Sequence, residues 1–236
     1  MRSTKDRSNK QLRGKFCIPI MGRDMAEIMA KIDKAAPKAD VLELRIDLMD
    51  SFDLEKLIRY SKKPPLVTYR SRSQGGKGLN DPGICARYIH EALRFGAQFV
   101  DVELTLPRDF IDTVLKKRSG SSIILSMHIT DHTPQFKELK EIFMKQVDTG
   151  ADIIKLVTFA NSYEDNLSVF ELLALAIDMD IDIITFCMGQ FGKISRITAH
   201  LMGGFMTFAS LEDDEHSAPG QISIDKMKQI LDNFLP

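Results

Sequence analysis

The sequence predicts one α/β domain folded as a closed (βα)8 barrel, a TIM barrel, and three observations support this prediction. Eight short apolar runs rich in β-branched and aromatic residues recur along the chain. The stretches between them are long enough for one crossover helix and two short loops, and too long for hairpins. No Pro-, Gly- or Ser-rich linker divides the 236 residues, so the eight units fit one closed barrel better than an open, doubly wound sheet.

Strands are expected at the apolar runs, and helices at the amphipathic segments between them. Asp53, the pair Thr133 and Pro134, and Ser162 with Asp165 are interpreted as helix caps or first turns. The predicted strands are 16–20, 41–46, 66–69, 99–104, 123–127, 153–157, 181–186 and 205–208. The helical patterns that stand out are 24–34, 53–61, 107–118, 135–148, 163–179 and 194–202.

Composition and charge exclude several classes of protein. The apolar fraction of 44% and the charged fraction of 28% are typical of a globular domain. A net charge of −1 argues against a nucleic-acid-binding surface, and no apolar run reaches the length of a membrane span. Cys17, Cys85 and Cys187 are widely spaced without a C-x-x-C pair, which favours reduced thiols in a cytoplasmic protein over disulfides or a zinc site.

The first 15 residues form a polar, basic arm ahead of a catalytic barrel domain that we place at 16–236. The apolar stretch that follows the arm is short and interrupted by Pro19, and it lacks the cleavage site of a secretory signal. We interpret the arm as a frayed terminus, with an organellar transit remnant as the alternative.

Alternation along the strands indicates which face carries chemistry. In the second strand, Glu43 and Arg45 share one parity, whereas Leu42, Leu44 and Ile46 share the other. Charged side chains cannot face the apolar helix layer, so they are expected to face the barrel interior, near the strand ends where this fold places its sites. The same parity holds on the next four strands for Thr68, Arg70, Asp101, Glu103, Ser126, His128 and Lys155.

A structural network of ion pairs is the alternative to a binding site. Arg45, Arg70 and Lys155 could pair with Glu43, Asp101 and Glu103. His128 and Arg196 would then remain, and they would suit an anionic ligand.

Lys155 is the strongest candidate for covalent chemistry, because lysine is rarely buried for packing alone. Burial and neighbouring guanidinium groups lower an amine's pKa, which allows it to attack a carbonyl and form an imine. Proton removal beside that imine needs a base, and His128 on the preceding strand is the natural one. His132 lies four residues further on, but Thr133 and Pro134 argue against a helical metal pair, so we expect no metal and no cofactor.

Seven blocks of the sequence resemble type I 3-dehydroquinate dehydratase in order and spacing. The resemblance covers 16–234 and implies a (βα)8 lyase of the shikimate pathway, which supplies aromatic amino acid biosynthesis. The implied reaction is dehydration of 3-dehydroquinate to 3-dehydroshikimate through a lysine Schiff base, by a cytoplasmic homodimer. The blocks are 41–45 with Asp47, 68–70 with Gly75 and Gly76, 100–103, 126–128 with Thr133 and Pro134, 151–155, 188–196 and 217–221.

The resemblance also implies a role for each matching residue. Lys155 becomes the Schiff-base lysine, His128 the general acid and base, and Glu43 a catalytic partner that also contacts the substrate. The other implied substrate-binding residues are Arg45, Arg70, Arg196, Ser217 and Gln221.

Three positions depart from the family pattern, and two other functions stay open. Gln74 replaces a usual glutamate, which reduces electrostatic support of the histidine from that position. Ile129 replaces a usual aspartate, and Pro19 a frequent serine. A class I aldolase would share the barrel and the imine, and a non-catalytic carboxylate-binding barrel would share the arginines. An aldolase of sugar phosphates would need a more complete phosphate site, and a binding protein would not need Lys155.

Overall fold

The apolar runs form eight parallel strands in the computed structural model, which describes residues 14–215 and 217–234. From β1 to β7 each strand pairs with the next one along the chain, and β8 pairs with β1. The amide of Phe205 donates to the carbonyl of Ile183 at 2.8 Å and brings β8 beside β7, so the barrel is nearly closed. The strands are β1 Lys15–Gly22, β2 Val41–Met49, β3 Pro65–Thr68, β4 Phe99–Glu103, β5 Ser122–His128, β6 Ile153–Phe159, β7 Ile183–Met188 and β8 Met206–Phe208.

Eight α-helices follow the strands in the part of the chain that the structure describes. Two of them, α3 and α8, add to the six segments that stand out in the sequence. The helices are α1 Met25–Ala35, α2 Leu54–Tyr60, α3 Pro82–Arg94, α4 Arg108–Lys117, α5 Phe136–Val147, α6 Asp165–Asp178, α7 Lys193–Leu201 and α8 Ile224–Asp232.

The predicted helix starts have different outcomes. The Asp53 side chain accepts a hydrogen bond from the Lys56 amide and caps α2, as predicted. Asp165 accepts from the amides of 161 and 162 in the first turn of α6. The prediction for Thr133 was wrong, because its hydroxyl donates to the carbonyl of Phe159 and α5 begins after Gln135 without a side-chain cap.

The barrel interior is apolar below the level of the charged residues. Each strand contributes one buried apolar side chain to this layer, and the alternate strand residues pack against the helices. The charged residues therefore lie above a dry base at the carboxyl ends of the strands. The interior layer consists of Cys17, Val41, Leu66, Phe99, Ile124, Ile153, Ile184 and Met206.

Most observed boundaries lie within a few residues of the predicted ones, and those of β7 and β1 are two examples. β7 begins at Ile183, because the amide of Ile181 still donates to the carbonyl of Ala176 and closes the end of α6. β1 begins at Lys15, the last residue of the predicted arm, and residues 1–13 of that arm lie outside the described residues. No helix in the described ranges is both long enough and apolar enough to cross a bilayer.

Candidate active site

One cavity at the carboxyl ends of the strands brings together all eight residues singled out in the sequence. Its empty volume is about 760 Å³, including space that is open to solvent. Its lining includes Glu43, Arg45, Arg70, His128, Lys155, Arg196, Ser217 and Gln221.

The wall formed by β3, β4 and β5 holds a buried ion-pair network. Arg70 donates to Asp101 at 2.6 Å, to Glu103 at 3.0 Å and to the Ser126 hydroxyl at 2.9 Å. Glu103 also accepts from the amide and the hydroxyl of Ser71, at 2.9 and 2.7 Å. Burial acts to raise the pKa of Asp101, but Arg70 and Lys155 together hold that pKa below its ordinary value. The Asp101 carboxylate therefore stays ionised without a ligand.

The pairing of Arg45 and Glu43 differs from the simplest expectation. Both Nε and Nη2 of Arg45 donate to Asp47 at 2.9 Å, and the Asp47 carboxylate also accepts from the amide of Lys77. Glu43 instead accepts from the Thr68 hydroxyl at 2.8 Å. Glu43 is thus a buried carboxylate held by a neutral donor, and it faces the cavity.

Lys155 lies on β6 with its amine buried in the cavity wall. Nζ is 3.5 Å from Asp101 Oδ2 and 4.3 Å from the centre of the Phe208 ring. Burial lowers the pKa of Lys155, and Arg70 and Arg45 lower it further, against the opposing effect of Asp101 and Glu43. The amine is consequently easier to deprotonate than an exposed lysine, as a nucleophile requires.

His128 ends β5 and is held by Gln74. Gln74 Oε1 accepts from the His128 amide at 2.7 Å and lies 3.3 Å from Nδ1. An amide oxygen can only accept, so Nδ1 carries the proton and Nε2 is the basic nitrogen. Burial, with Arg70, Lys155 and Arg45 nearby, holds the pKa of His128 well below its ordinary value. The imidazole is therefore neutral near pH 7, which leaves the lone pair of Nε2 free to act as a base.

A tight loop positions Gln74 beside the histidine. Gly75 has φ +81°, and a Cβ on Gly76 would lie 2.1 Å from the carbonyl oxygen of Arg70. The segment 75–78 therefore folds closely over the backbone of Arg70. The sequence analysis noted Gln74 as a departure that reduces electrostatic support of the histidine, and the structure shows this side chain in contact with His128.

Arg196, near the start of α7, is a buried cation without a carboxylate. It is 1% exposed, and no ion pair within the described residues involves it. Its Nη atoms donate to the carbonyls of Phe208 at 3.3 Å and Pro219 at 3.4 Å. The guanidinium group lies over the ring of Phe186, and Nε has no hydrogen-bond partner among the described groups. Burial lowers the pKa of Arg196 to about 10. An anion in the cavity would supply the missing partner.

The loop after β8 closes one side of the cavity. Gln221 Oε1 accepts from the amides of Ser217 at 2.7 Å and Ala218 at 3.3 Å, and its Nε2 donates to the Ser217 hydroxyl at 3.0 Å. The acidic residues just before this turn pair with lysines of α1 and α8, through Lys31–Glu215, Lys34–Glu212 and Lys226–Asp213. The polar side chains of Ser217 and Gln221 thus line the cavity, while the acidic residues pair with lysines away from it. His216 lies outside the described residues.

The apolar part of the lining was missed by the sequence analysis. Phe159, Phe186, Met188 and Phe208 belong to the cavity wall at the ends of β6, β7 and β8. Their parity matches the polar residues of neighbouring strands, and that match is the signal that could have found them. Among the described residues, no group of three or more His, Cys, Asp or Glu side chains is placed to hold a metal ion.

The site combines a nucleophilic amine, a neutral histidine and a buried cation that lacks an anion. Such a set can form an imine with a carbonyl compound that also carries a carboxylate, and can then move a proton beside the imine.

A sequence model of the type I 3-dehydroquinase family matches residues 16–234. The 3-dehydroquinate dehydratase of Methanococcus maripaludis is 34% identical over 221 residues, which cover 92% of this chain and 98% of the relative. The chloroplastic bifunctional 3-dehydroquinate dehydratase/shikimate dehydrogenase of Arabidopsis thaliana is 32% identical over 225 residues, covering 93% of this chain and 36% of that protein.

Solved structures agree with these relatives. The 3-dehydroquinate dehydratase of Geobacillus kaustophilus superposes with a TM-score of 0.86 at 29% identity, over 94% of this chain and 91% of that one. The type I enzyme of Clostridium difficile, solved with covalently modified comenic acid, gives 0.84 at 26% identity, over 94% and 92% of the two chains.

Proposed function

The chain belongs to the type I 3-dehydroquinase family, and from this membership we propose which of its residues carry out the reaction. The protein is a hydro-lyase that dehydrates 3-dehydroquinate to 3-dehydroshikimate through a lysine Schiff base, a step of the shikimate pathway towards aromatic amino acids. Neither a class I aldolase nor a non-catalytic binding barrel fits this membership.

Lys155 is the proposed Schiff-base lysine, and its buried amine with a lowered pKa is the observation that carries the assignment. Its neutral amine adds to the C3 carbonyl of the substrate. The carbonyl oxygen takes up protons and leaves as water, and a protonated imine remains. That cation withdraws electrons, which makes a proton on C2 removable.

His128 is the proposed proton carrier. Its ring is neutral, and the unprotonated Nε2 takes the proton from C2. The electron pair of the broken C–H bond moves towards the imine nitrogen and gives an enamine. The enamine electrons then expel the C1 hydroxyl, which leaves as water after His128 returns the proton. Addition of water at C3 releases 3-dehydroshikimate and restores the amine of Lys155. Glu43, held by Thr68, is proposed as the partner of His128.

The substrate carboxylate is proposed to bind Arg196, because this cation is buried without an anionic partner. The remaining contacts are assigned to residues that line the same cavity. Ser217 and Gln221 suit the hydroxyl groups, and Arg45, Arg70 and Glu43 complete the substrate-binding set.

The state of the protein in the cell is also a proposal. We propose a homodimer in the cytoplasm whose catalytic domain comprises 16–236, with 1–15 as an arm outside it. The three cysteines are unpaired and buried, which supports a reducing compartment. The resemblance to the family supports the dimer, and analytical ultracentrifugation would check it.

The test of the catalytic assignment is reductive trapping. Borohydride added with 3-dehydroquinate should reduce the imine to a stable secondary amine on the peptide that contains Lys155. The variant Lys155→Ala should lose both the adduct and the dehydration, measured by the absorbance of the conjugated enone. Lys193→Ala is a matched control, because that lysine lies outside the cavity lining. An adduct on another lysine would overturn the assignment.

A further inference from the structure

Asp101 stands in direct contact with the reacting nitrogen. Of the carboxylates in 14–215 and 217–234, it alone lies within 4.0 Å of Lys155 Nζ, at 3.5 Å from Oδ2. Both side chains are about 5% exposed or less, so water screens their interaction weakly. The charge of Asp101 therefore acts on every state through which the Lys155 nitrogen passes.

Asp101 is also fixed in place by groups other than the lysine. Its Oδ1 accepts from the Ser126 hydroxyl at 2.6 Å, and its Oδ2 accepts from Arg70 Nη2 at 2.6 Å. Ser126 is the direct β5 neighbour of Lys155 across the strand pair. The carboxylate therefore has two firm donors when Lys155 is neutral, and it is already in position when the nitrogen becomes positive again.

The nitrogen of Lys155 changes charge during the reaction, whereas Asp101 does not. The resting ammonium is positive, the attacking amine is neutral, and the protonated imine is positive. A fixed carboxylate at 3.5 Å stabilises both positive states relative to the neutral amine. It therefore opposes the loss of the first proton and favours accumulation of the imine cation.

We propose that Asp101 is the counterion of the protonated imine on Lys155, and that Ser126 and Arg70 set the strength of this counterion. Their hydrogen bonds withdraw charge from the carboxylate, so Asp101 stabilises the imine without holding the resting proton too firmly. This inference rests on the proposed function of Lys155. It gives the ion-pair network a part in the reaction beyond stability.

Other charged and titratable groups also face Lys155 from the remaining walls of the cavity. The substitutions at Asp101 and Ser126 that test the proposal leave these groups unchanged. Glu43 raises the pKa of Lys155, and Arg70 and Arg45 lower it. The full set comprises Cys17 on β1, Glu43 and Arg45 on β2, Arg70 after β3, Asp101 on β4, His128 on β5 and Arg196 from α7.

The first test is Asp101→Asn, with kcat/KM measured against pH. Loss of the carboxylate should make Lys155 easier to deprotonate, so the acid limb of the profile should move to lower pH by about one unit. The imine cation should also lose stabilisation, so borohydride should trap a smaller fraction of enzyme at saturating substrate. A merely structural defect would lower activity without moving the limb.

Ser126→Ala provides a second variant with the opposite expected sign. It removes a donor from Asp101 but keeps the carboxylate, whose hold on the Lys155 proton should strengthen. The acid limb should then move to higher pH. Ser71→Ala is the matched control, because it removes a hydroxyl donor from Glu103 in the same network without changing a charge or contacting Asp101, and it should leave the limb in place. Circular dichroism and thermal unfolding identify any variant that fails to fold. If Asp101→Asn fails to fold, the shift in Ser126→Ala still tests the proposal.

The outcomes separate this inference from the proposed function. If borohydride leaves no adduct on Lys155 in the unaltered protein, the proposed function fails. If that adduct forms, but the limb keeps its position in the folded variants or moves the same way in both, the counterion role of Asp101 is overturned.

Discussion

The two sides of the cavity treat buried positive charge in opposite ways. On the side of β2 to β5, Arg45 pairs with Asp47, and Arg70 pairs with both Asp101 and Glu103. On the side of β7 and β8, Arg196 is equally buried but has only carbonyl oxygens and an aromatic ring around it. The arginines of the first side are neutralised by carboxylates without a ligand, whereas the charge of Arg196 is neutralised only when an anion binds.

This difference assigns separate tasks to the two sides. The paired side holds Lys155 among fixed charges, and nothing in it needs to move when substrate enters. On the unpaired side Arg196 has no anionic partner among the described residues, and we propose that the substrate carboxylate fills this place. Catalytic and binding functions should therefore respond differently to substitutions on the two sides.

The largest expected effect is on turnover, from His128→Ala. General acid and base groups typically contribute about 10²- to 10⁴-fold, so kcat should fall within or beyond that range because the imine steps can use the same histidine. KM should change little, since the Arg196 side is intact. His132→Ala is the matched control, because His132 is exposed and pairs with Asp131. Near-normal turnover in His128→Ala would remove the histidine from the mechanism.

The next effect is on stability, and it compares the two sides directly through one substitution on each. Arg70→Met leaves two carboxylates buried without their cation, so the free energy of unfolding should fall by about 3–5 kcal/mol. Arg196→Met removes a buried cation that has no carboxylate partner in the described residues, so the same quantity should stay constant or rise. Urea denaturation without ligand measures both. Equal losses would mean that Arg196 is as well compensated as Arg70.

Much of this fold and site could be predicted because charged residues show which face of a strand points into the barrel interior. Glu43 and Arg45 cannot pack against helices, so their parity determines the interior face of β2 and, by analogy, of the next strands. The helix α3 was missed because it begins with Pro82 and Gly83, residues that usually mark turns.

Contacts between strands could not be predicted in the same way. Arg45 pairs with Asp47 on its own strand, and parity alone cannot distinguish this partner from Glu43. The contact between Gln74 and His128 depends on a loop that folds back over Arg70, because Gly76 leaves room for its backbone. Such contacts depend on side-chain rotamers and loop closure, which have no periodic signal.

The smallest expected effect concerns the loop 211–221, which we expect to close over the substrate. Gln221 joins Ser217 to the cavity wall, so Gln221→Ala should raise KM and lower kcat modestly. Cleavage between Glu212 and Gln221 by a protease should slow when substrate or product saturates the enzyme. Gln229→Ala, on the exposed face of α8, is the control. Equal cleavage with and without ligand, together with unchanged kinetics, would leave an ordinary surface loop.

The most direct test of the contrast between the two sides is calorimetric binding of 3-dehydroquinate to protein that carries Lys155→Ala. No imine can form there, so the titration reports non-covalent binding alone. Adding Arg196→Met should weaken binding by about 2–5 kcal/mol, because a buried charge pair is lost. Adding Ser71→Ala, which removes only a hydroxyl donor to Glu103 on the other side, should leave the affinity nearly unchanged. Equal affinity with and without Arg196 would contradict the claim that its unpaired charge receives the substrate carboxylate.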